Sequence, residues 1–284
     1  MPDQGAARSD ELEVAEEFAG RGMLLANAGD LQGGLPLLRA AVERAERLAA
    51  GDASVELRLA VFRNDLGLTL AWLGRSAEAI ALIAAAIATY RRQLAVAARP
   101  ESESGTVRLL LANSLDSLGT RLASLGRHGE ALRAAEESIA HYRIWAARRE
   151  VAQLRELARA LNNLSIRCAD ADRHEDALTA SREAVALFRR TPPVDPDDLS
   201  GLTHATSNLT LRLARLDLHS EVPALADETL RLVARLPEPH PRSQLASLAE
   251  SLTWLAWYLC KHGHPLRSRS VARAARSLRR RLTV

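Results

Sequence analysis

Hydrophobic residues make up 47% of the 284 residues, which excludes a disordered chain, and the formal net charge of +3 is too small at this length for the whole chain to act as a polyanion binder. Aromatic residues are only 4%, and the apolar content is mostly Ala and Leu beside many Arg and Glu, the composition of an all-helical protein. Lys261 is the one lysine among the basic residues. The first residues, MPDQGAARSDELEVAEEF, have no apolar core behind a basic start, so no secretory signal is expected. No apolar run is long enough to cross a membrane; even Ala79–Ala88 soon meets Arg91 and Arg92. Cys168 and Cys260 fall at apolar helical positions, and the chain reads as cytoplasmic and free of disulfides.

Six turn positions align along the chain: Gly29, Gly74, Gly126, Asp172, Asp217 and Gly263, spaced by 45, 52, 46, 45 and 46 residues. The long spacing holds an insertion, RPESESG, at Arg99–Gly105. Gly or Asp suits the residue that closes a helix in the left-handed conformation. Each turn follows an amphipathic helix of about 18–22 residues and precedes another of similar or shorter length.

The first helix is expected to start after Ser9 or Asp10, with Glu13 completing a cap. Its partner, Leu31–Ala49, contains Gly33, Gly34 and Pro36 and reads as a frayed terminal cap. Next come Ser54–Leu73 with Ser76–Ala98, Glu103–Leu125 with His128–Arg148, and Val151–Asp170 with His174–Arg190. Pro192 and Pro193 stop the chain; Asp195 caps the next helix with Pro196 at its first position, and Ser220–Arg235 follows. Pro237, Pro239 and Pro241 break again before Arg242–His262 and Pro265–Leu282. No period-two strand pattern intervenes, so the expected fold is an all-α solenoid of about twelve helices in one domain, residues 1–284. Its repeats are expected at approximately 10–50, 54–98, 103–148, 151–190, 196–235 and 242–282.

Small residues recur where paired helices must cross. Gly67, Gly119, Ser165, Thr210 and Ala256 stand seven before their turns, and Ala79, Ala131 and Ala177 five after. Leu66, Leu118, Leu164, Leu209 and Leu255 fill the space beside them. No single pair can bury its apolar face alone, so stability must come from stacking.

Leu, a small residue, the turn, then Glu78-Ala79, Glu130-Ala131 or Asp176-Ala177 resembles the tetratricopeptide repeat, in a long-helix form. The wording of residues 157–190 is similar to tandem arrays attached to bacterial signalling ATPases and caspase-like proteases, of actinobacterial type. The resemblance covers residues 59–190 most closely. It implies a right-handed solenoid whose pre-turn helices line a concave groove, and a non-enzymatic scaffold binding peptides, proteins or further copies of itself. It does not extend to the carboxylate clamp by which some such domains hold heat-shock chaperones. Asn163 matches the clamp's middle Asn, but Asp116, Thr120, His204 and Asn208 stand where Lys, Asn and Arg belong.

The best candidate surface is the polar set nine or ten residues before each turn. Its members are Asn64 and Asp65, Asp116 and Ser117, Asn162 and Asn163, Ser207 and Asn208, and Trp254 beside Thr253. Amides and short polar groups repeated on one face can hydrogen-bond an extended peptide; the alternative is that they bridge adjacent repeats. Asn163 and Asn208 are expected to project from that face one repeat apart. Arg121, Arg167 and Arg212, five before their turns, read as partners of Glu-rich neighbours or as readers of an acidic ligand. His128, His174 and His219 each lie two after a turn, one repeat apart, too far to share a metal ion. Cys260, His262 and His264 lack a second half-site, so no metal is expected. Trp254, Trp257 and Tyr258 form an aromatic patch, part core and part ligand platform or dimer contact. The last helix carries Arg267, Arg269, Arg273, Arg276, Arg279, Arg280 and Arg281, the pattern of a polar capping helix or of a nucleic-acid contact. No phosphate-binding loop, nucleophile elbow or cofactor motif occurs, so neither catalytic residues nor cofactors are expected.

Overall fold

The structure is a computed structural model and describes residues 4–50, 52–96, 101–148, 150–191, 193–236 and 242–282. The described residues form twelve α-helices, one short 3-10 turn and no strand. They group into two units, Met1–Trp145 and Ala146–Val284. The first holds α1 (Gln4–Asn27), α2 (Leu31–Leu48), α3 (Ala53–Trp72), α4 (Ser76–Leu94), α5 (Glu101–Ser124) and α6 (His128–Trp145). The second holds the 3-10 turn Ala146–Arg148, α7 (Val151–Asp170), α8 (His174–Arg190), α9 (Pro196–Arg215), α10 (Val222–Val233), α11 (Arg242–Lys261) and α12 (Pro265–Arg281).

In each unit consecutive helices fold back on one another as hairpins. The first helices of successive hairpins lie side by side, α1–α3–α5 in one unit and α7–α9–α11 in the other. All six expected turn residues have positive φ: Gly29, Gly74, Gly126 and Gly263 at 93°, 78°, 73° and 84°, and Asp172 and Asp217 at 57° and 56°. The two aspartates sit in the small left-handed region that Asp enters more readily than most residues. Side-chain caps start the helices where the sequence offers Asp: Asp30 accepts from Gly33 N at 2.8 Å, Asp52 from Ser54 N at 2.9 Å, and Asp195 from Asp198 N at 2.8 Å.

Three sequence expectations need correction. Ser9 and Asp10 cap nothing, because α1 already begins at Gln4; Ala6, Ala7 and Arg8 are good helix formers that extend it. The first helix of the third pair begins two residues earlier than expected, at Glu101 rather than Glu103, so Glu101–Gly105 of the insertion belong to α5; Arg99 and Pro100 lie outside the described residues. Most instructive is α2, which is not frayed. Gly34 faces Gly22 across the hairpin, and a Cβ on Gly34 would stand 2.5 Å from the Gly22 carbonyl oxygen. The glycine that weakens helix propensity is what lets the two backbones touch. Pro36 sits two residues further on, inside the helix, at the loss of one backbone hydrogen bond.

The same crossing recurs along the first unit. A Cβ on Gly22, Gly67 or Gly119 would lie 3.1, 3.2 or 3.1 Å from the carbonyl oxygen of Gly34, Ala79 or Ala131. Around these crossings Leu38, Leu70, Ile83, Tyr90, Leu111 and Leu115 are fully buried. In the second unit the matching core residues are Leu161, Phe188, Leu213, Leu245, Leu248 and Leu252.

The second unit also buries charge. Asp198, 3% exposed in the first turn of α9, receives Arg155 Nη1 and Arg159 Nη2 of α7, each at 3.0 Å. On the outer helices, ion pairs step from hairpin to hairpin: Arg91–Glu137 in the first unit, Arg182–Glu221, Arg189–Glu228 and Arg267–Asp227 in the second. These are exposed and contribute little each.

Candidate functional site

The polar set of the first helices divides, residue by residue, into seams and surface. In the first unit Asn64 Oδ1 accepts a hydrogen bond from Ser114 Oγ at 2.9 Å, tying α3 to α5. Beside it Asp65 is largely buried, and burial raises its pKa from 3.8 to about 6, opposed by a hydrogen bond from Asn64. Tyr90 of α4 lies close enough that burial, and then the Asp65 charge, push its hydroxyl pKa up. Asp116 and Ser117 of α5 are partly exposed.

In the second unit Asn208 Nδ2 donates to Asn162 Oδ1 at 2.9 Å, tying α9 to α7. Asn162 is 9% exposed and Ser207 2%; the Ser207 hydroxyl has no hydrogen-bond partner among the described residues. Asn208 therefore does not stand clear of the fold as a free amide; its head is turned into the inter-repeat seam. Asn163 stays partly exposed beside it. Trp254, on α11, is stacked on Tyr258 with centroids 5.5 Å apart and lies 6.1 Å from Trp257. Each unit thus ties some of the polar set across a seam and leaves others, Asp116 and Ser117 in the first and Asn163 in the second, partly at the surface.

Sequence reasoning did not assemble two further features. The first is a ring cluster. His219, from the turn before α10, is hydrogen-bonded through Nδ1 to the Tyr258 hydroxyl, and its ring lies 4.5 Å from that of His262. The metal reading gains nothing from it: no group of three or more His, Cys, Asp or Glu among the described residues is arranged to hold an ion. The second is a trough of about 250 Å³ between α9 and α11, lined by Leu211, Arg212, Arg215, Glu250, Ser251 and Trp254. The available signal was Arg212, at the repeat position of Arg121 and Arg167, followed three residues later by Arg215 on the same helix face. Arg167 instead pairs with Asp170 of its own helix at 3.1 Å.

Residues 59–94 and 111–144 match the family model of the tetratricopeptide repeat. Those two stretches are tetratricopeptide-type repeats. No curated protein matches the chain in sequence. Among solved structures the chain is similar to BtubC from P. vanneervenii, at 17% identity and a TM-score of 0.63, over 89% of this chain and 92% of that one. It is also similar to aspartyl phosphate phosphatase F from Bacillus subtilis, at 12% identity and 0.62, over 98% and 73%. A third is a Rap protein solved in complex with competence and sporulation factor, at 14% identity and 0.55, over 94% and 75%. At these identities the likeness carries the fold, an all-α solenoid of helix-turn-helix repeats. No helix among the described residues is long and apolar enough to cross a membrane.

Proposed function

We propose that the chain is a non-enzymatic scaffold that binds a protein or peptide along the first helices of its repeats, as the sensor or adaptor part of a bacterial signalling system. The observation that carries this reading is the recurrence of polar side chains on side-by-side first helices. Asn64, Asn162 and Asn208 are used in seams (Asn64–Ser114, Asn162–Asn208), while Asp116, Ser117 and Asn163 remain partly exposed. Seam bonds of this kind hold the neighbouring surface groups in fixed places, which lowers the entropy lost on binding. The Rap protein among the similar structures, solved with a factor bound, supports the peptide reading by analogy of fold.

A photo-cross-linking residue placed at Ser117 or Asn163 is expected to capture a partner in the native host. The same residue at the exposed outer-helix positions Arg133 and Ala186 is expected not to. Equal capture from outer positions, or none from inner ones, would remove the first-helix surface from the reading.

A second reading rests on α12, which has seven arginines and no acidic residue; Arg269, Arg273 and Arg276 are exposed. It is a nucleic-acid contact. Replacing Arg276, Arg279, Arg280 and Arg281 with Gln separates the two. If the wild type binds DNA or RNA with affinity falling steeply as salt rises, and the variant does not, this second reading leads.

A further inference from the structure

Arg212 and Arg215 form one wall of the trough between α9 and α11, and Glu250, Ser251 and Trp254 form the other. Arg212 is half-buried, and burial lowers its pKa, with Asp170 opposing. Yet the hydrogen bond from its Nε to Ser165 Oγ is a long contact of 3.5 Å. The Asp170 carboxylate that acts on it is held by Arg167 at 3.1 Å. Arg215 is exposed and, like Arg212, makes no ion pair with a described residue; nor does Glu250 across the trough. Two guanidiniums face a single carboxylate across the cleft, which leaves it a net positive charge. A partly desolvated guanidinium with open donors binds a planar carboxylate more strongly than it binds water.

Beside this charge lies an aromatic wall. Trp254 lines the trough and lies 6.1 Å from Trp257, which is 57% exposed with Lys261 Nζ 5.3 Å from its ring centre. An exposed tryptophan next to a charged cleft is a common energetic anchor of peptide interfaces. The trough is open to solvent rather than enclosed, so a chain can lie along it.

We infer that this trough is an acidic-peptide subsite, in which an Asp or Glu side chain of an extended segment is held by Arg212 and Arg215 and the adjacent apolar side chain rests on Trp254 and Trp257. The Glu250 carboxylate lies where it can accept from a backbone N–H of the same segment. This inference rests on the scaffold reading and names the chemistry of its ligand. It is separate from the asparagine seam and from the basic last helix.

The probe is a pair of end-blocked peptides, acetyl-Gly-Glu-Phe-Glu-Phe-Gly-amide and its twin with Gln for Glu, titrated into the full chain by calorimetry and tryptophan fluorescence. Blocking both ends excludes capture of a terminal carboxylate. The Glu peptide is expected to bind about ten- to hundred-fold tighter than the Gln twin, the range for a charge-assisted pair, with the advantage shrinking as salt rises. Arg212→Gln with Arg215→Gln is expected to erase that difference. Arg215→Gln alone, at an exposed position, keeps the test valid if the double variant loses helicity by circular dichroism, and is expected to reduce the difference several-fold. Trp254→Ala is expected to weaken both peptides while preserving the preference for Glu.

Equal affinity for the two peptides, an unchanged preference in the arginine variants, or no binding of either peptide at millimolar concentration would each overturn the subsite. None of these outcomes bears on partner capture at Ser117 and Asn163, so the scaffold reading stands or falls separately.

Discussion

The two units solve the same crossing by opposite means. In Met1–Trp145 the residue seven before the turn is glycine three times over, and the paired backbones meet almost in contact at Gly22 and Gly34, Gly67 and Ala79, Gly119 and Ala131. In Ala146–Val284 the same position holds Ser165, Thr210 and Ala256. Ser165 Oγ shares a 2.6 Å hydrogen bond with Ser181 Oγ, and Thr210 Oγ1 returns to Thr206 O at 2.7 Å. The Ala256 carbonyl accepts from Ser268 Oγ at 2.7 Å. One unit removes the side chain, and the other keeps a small one, which at Ser165 and Thr210 is polar and satisfied locally. The second solution carries a more polar interior, with the buried Asp198 ion pairs and the half-buried Arg212 beside an open trough. A repeat position therefore constrains size, while chemistry at that size is free to vary.

The largest expected effect tests the polar unit. Asp198→Ala removes the carboxylate that Arg159 shares with Arg155, the latter only 12% exposed. Losing one partner of a buried pair costs about 3–5 kcal/mol. Urea unfolding should show that loss; a change within about 0.5 kcal/mol, on the order of a surface substitution, would show that the ion pairs are incidental.

The next tests the one strongly perturbed carboxyl of the apolar unit. Asp65 has its pKa raised by burial from 3.8 to about 6. The folded form therefore favours the protonated acid. Its contribution is fully present below the unfolded pKa of 3.8 and is lost as pH rises through about 6. Above that, ionised Asp65 is a cost. Asp65→Asn should raise stability at pH 7.5 by about 2–3 kcal/mol, since each pH unit between the folded and unfolded pKa corresponds to roughly 1.4 kcal/mol. The gain should vanish below pH 4. A gain that did not change with pH would trace to packing instead.

Gly34→Ala puts a Cβ 2.5 Å from the Gly22 carbonyl oxygen. Overpacking of this kind costs about 1–3 kcal/mol. Ser165→Ala, at the position of the polar unit that matches Gly22, adds no bulk and should cost the Ser181 hydrogen bond and the long Arg212 contact, about 1 kcal/mol. Equal losses would mean that the two crossings are not as different as their geometry.

The smallest effect compares the two seams. Asn208→Ala leaves the Asn162 oxygen without its donor, and Ser114→Ala does the same to Asn64. Each is expected to cost about 0.5–1.5 kcal/mol. If Asn208→Ala lowers partner affinity and leaves the unfolding midpoint unmoved, the amide is a ligand contact rather than a seam.

Much of this chain is legible in its residues alone. All six turns are marked by Gly or Asp, because a left-handed residue between two helices restricts the choice of side chain at a single position. Helix type, hairpin order and the small residues at the crossings follow from periodicity in the same way. Even the first crossing is written out as Gly22 and Gly34, but propensity argues against it, since glycine is locally unfavourable in a helix and only the facing backbone explains it. What the sequence could not decide was the direction in which each polar head turns. Asn162, Asn163 and Asn208 are chemically alike; Asn163 and Asn208 share the repeat register and Asn162 stands one residue before it. Only the neighbouring helix makes Asn162 and Asn208 partners and leaves Asn163 partly at the surface. The same holds for Arg167 and Arg212, which are equivalent in register yet differ in fate: one pairs with Asp170, the other lines a trough with a tryptophan from a helix some forty residues on. Periodicity along one chain assigns a face to a residue, whereas its partner is set by packing between helices distant in sequence, which no local pattern records.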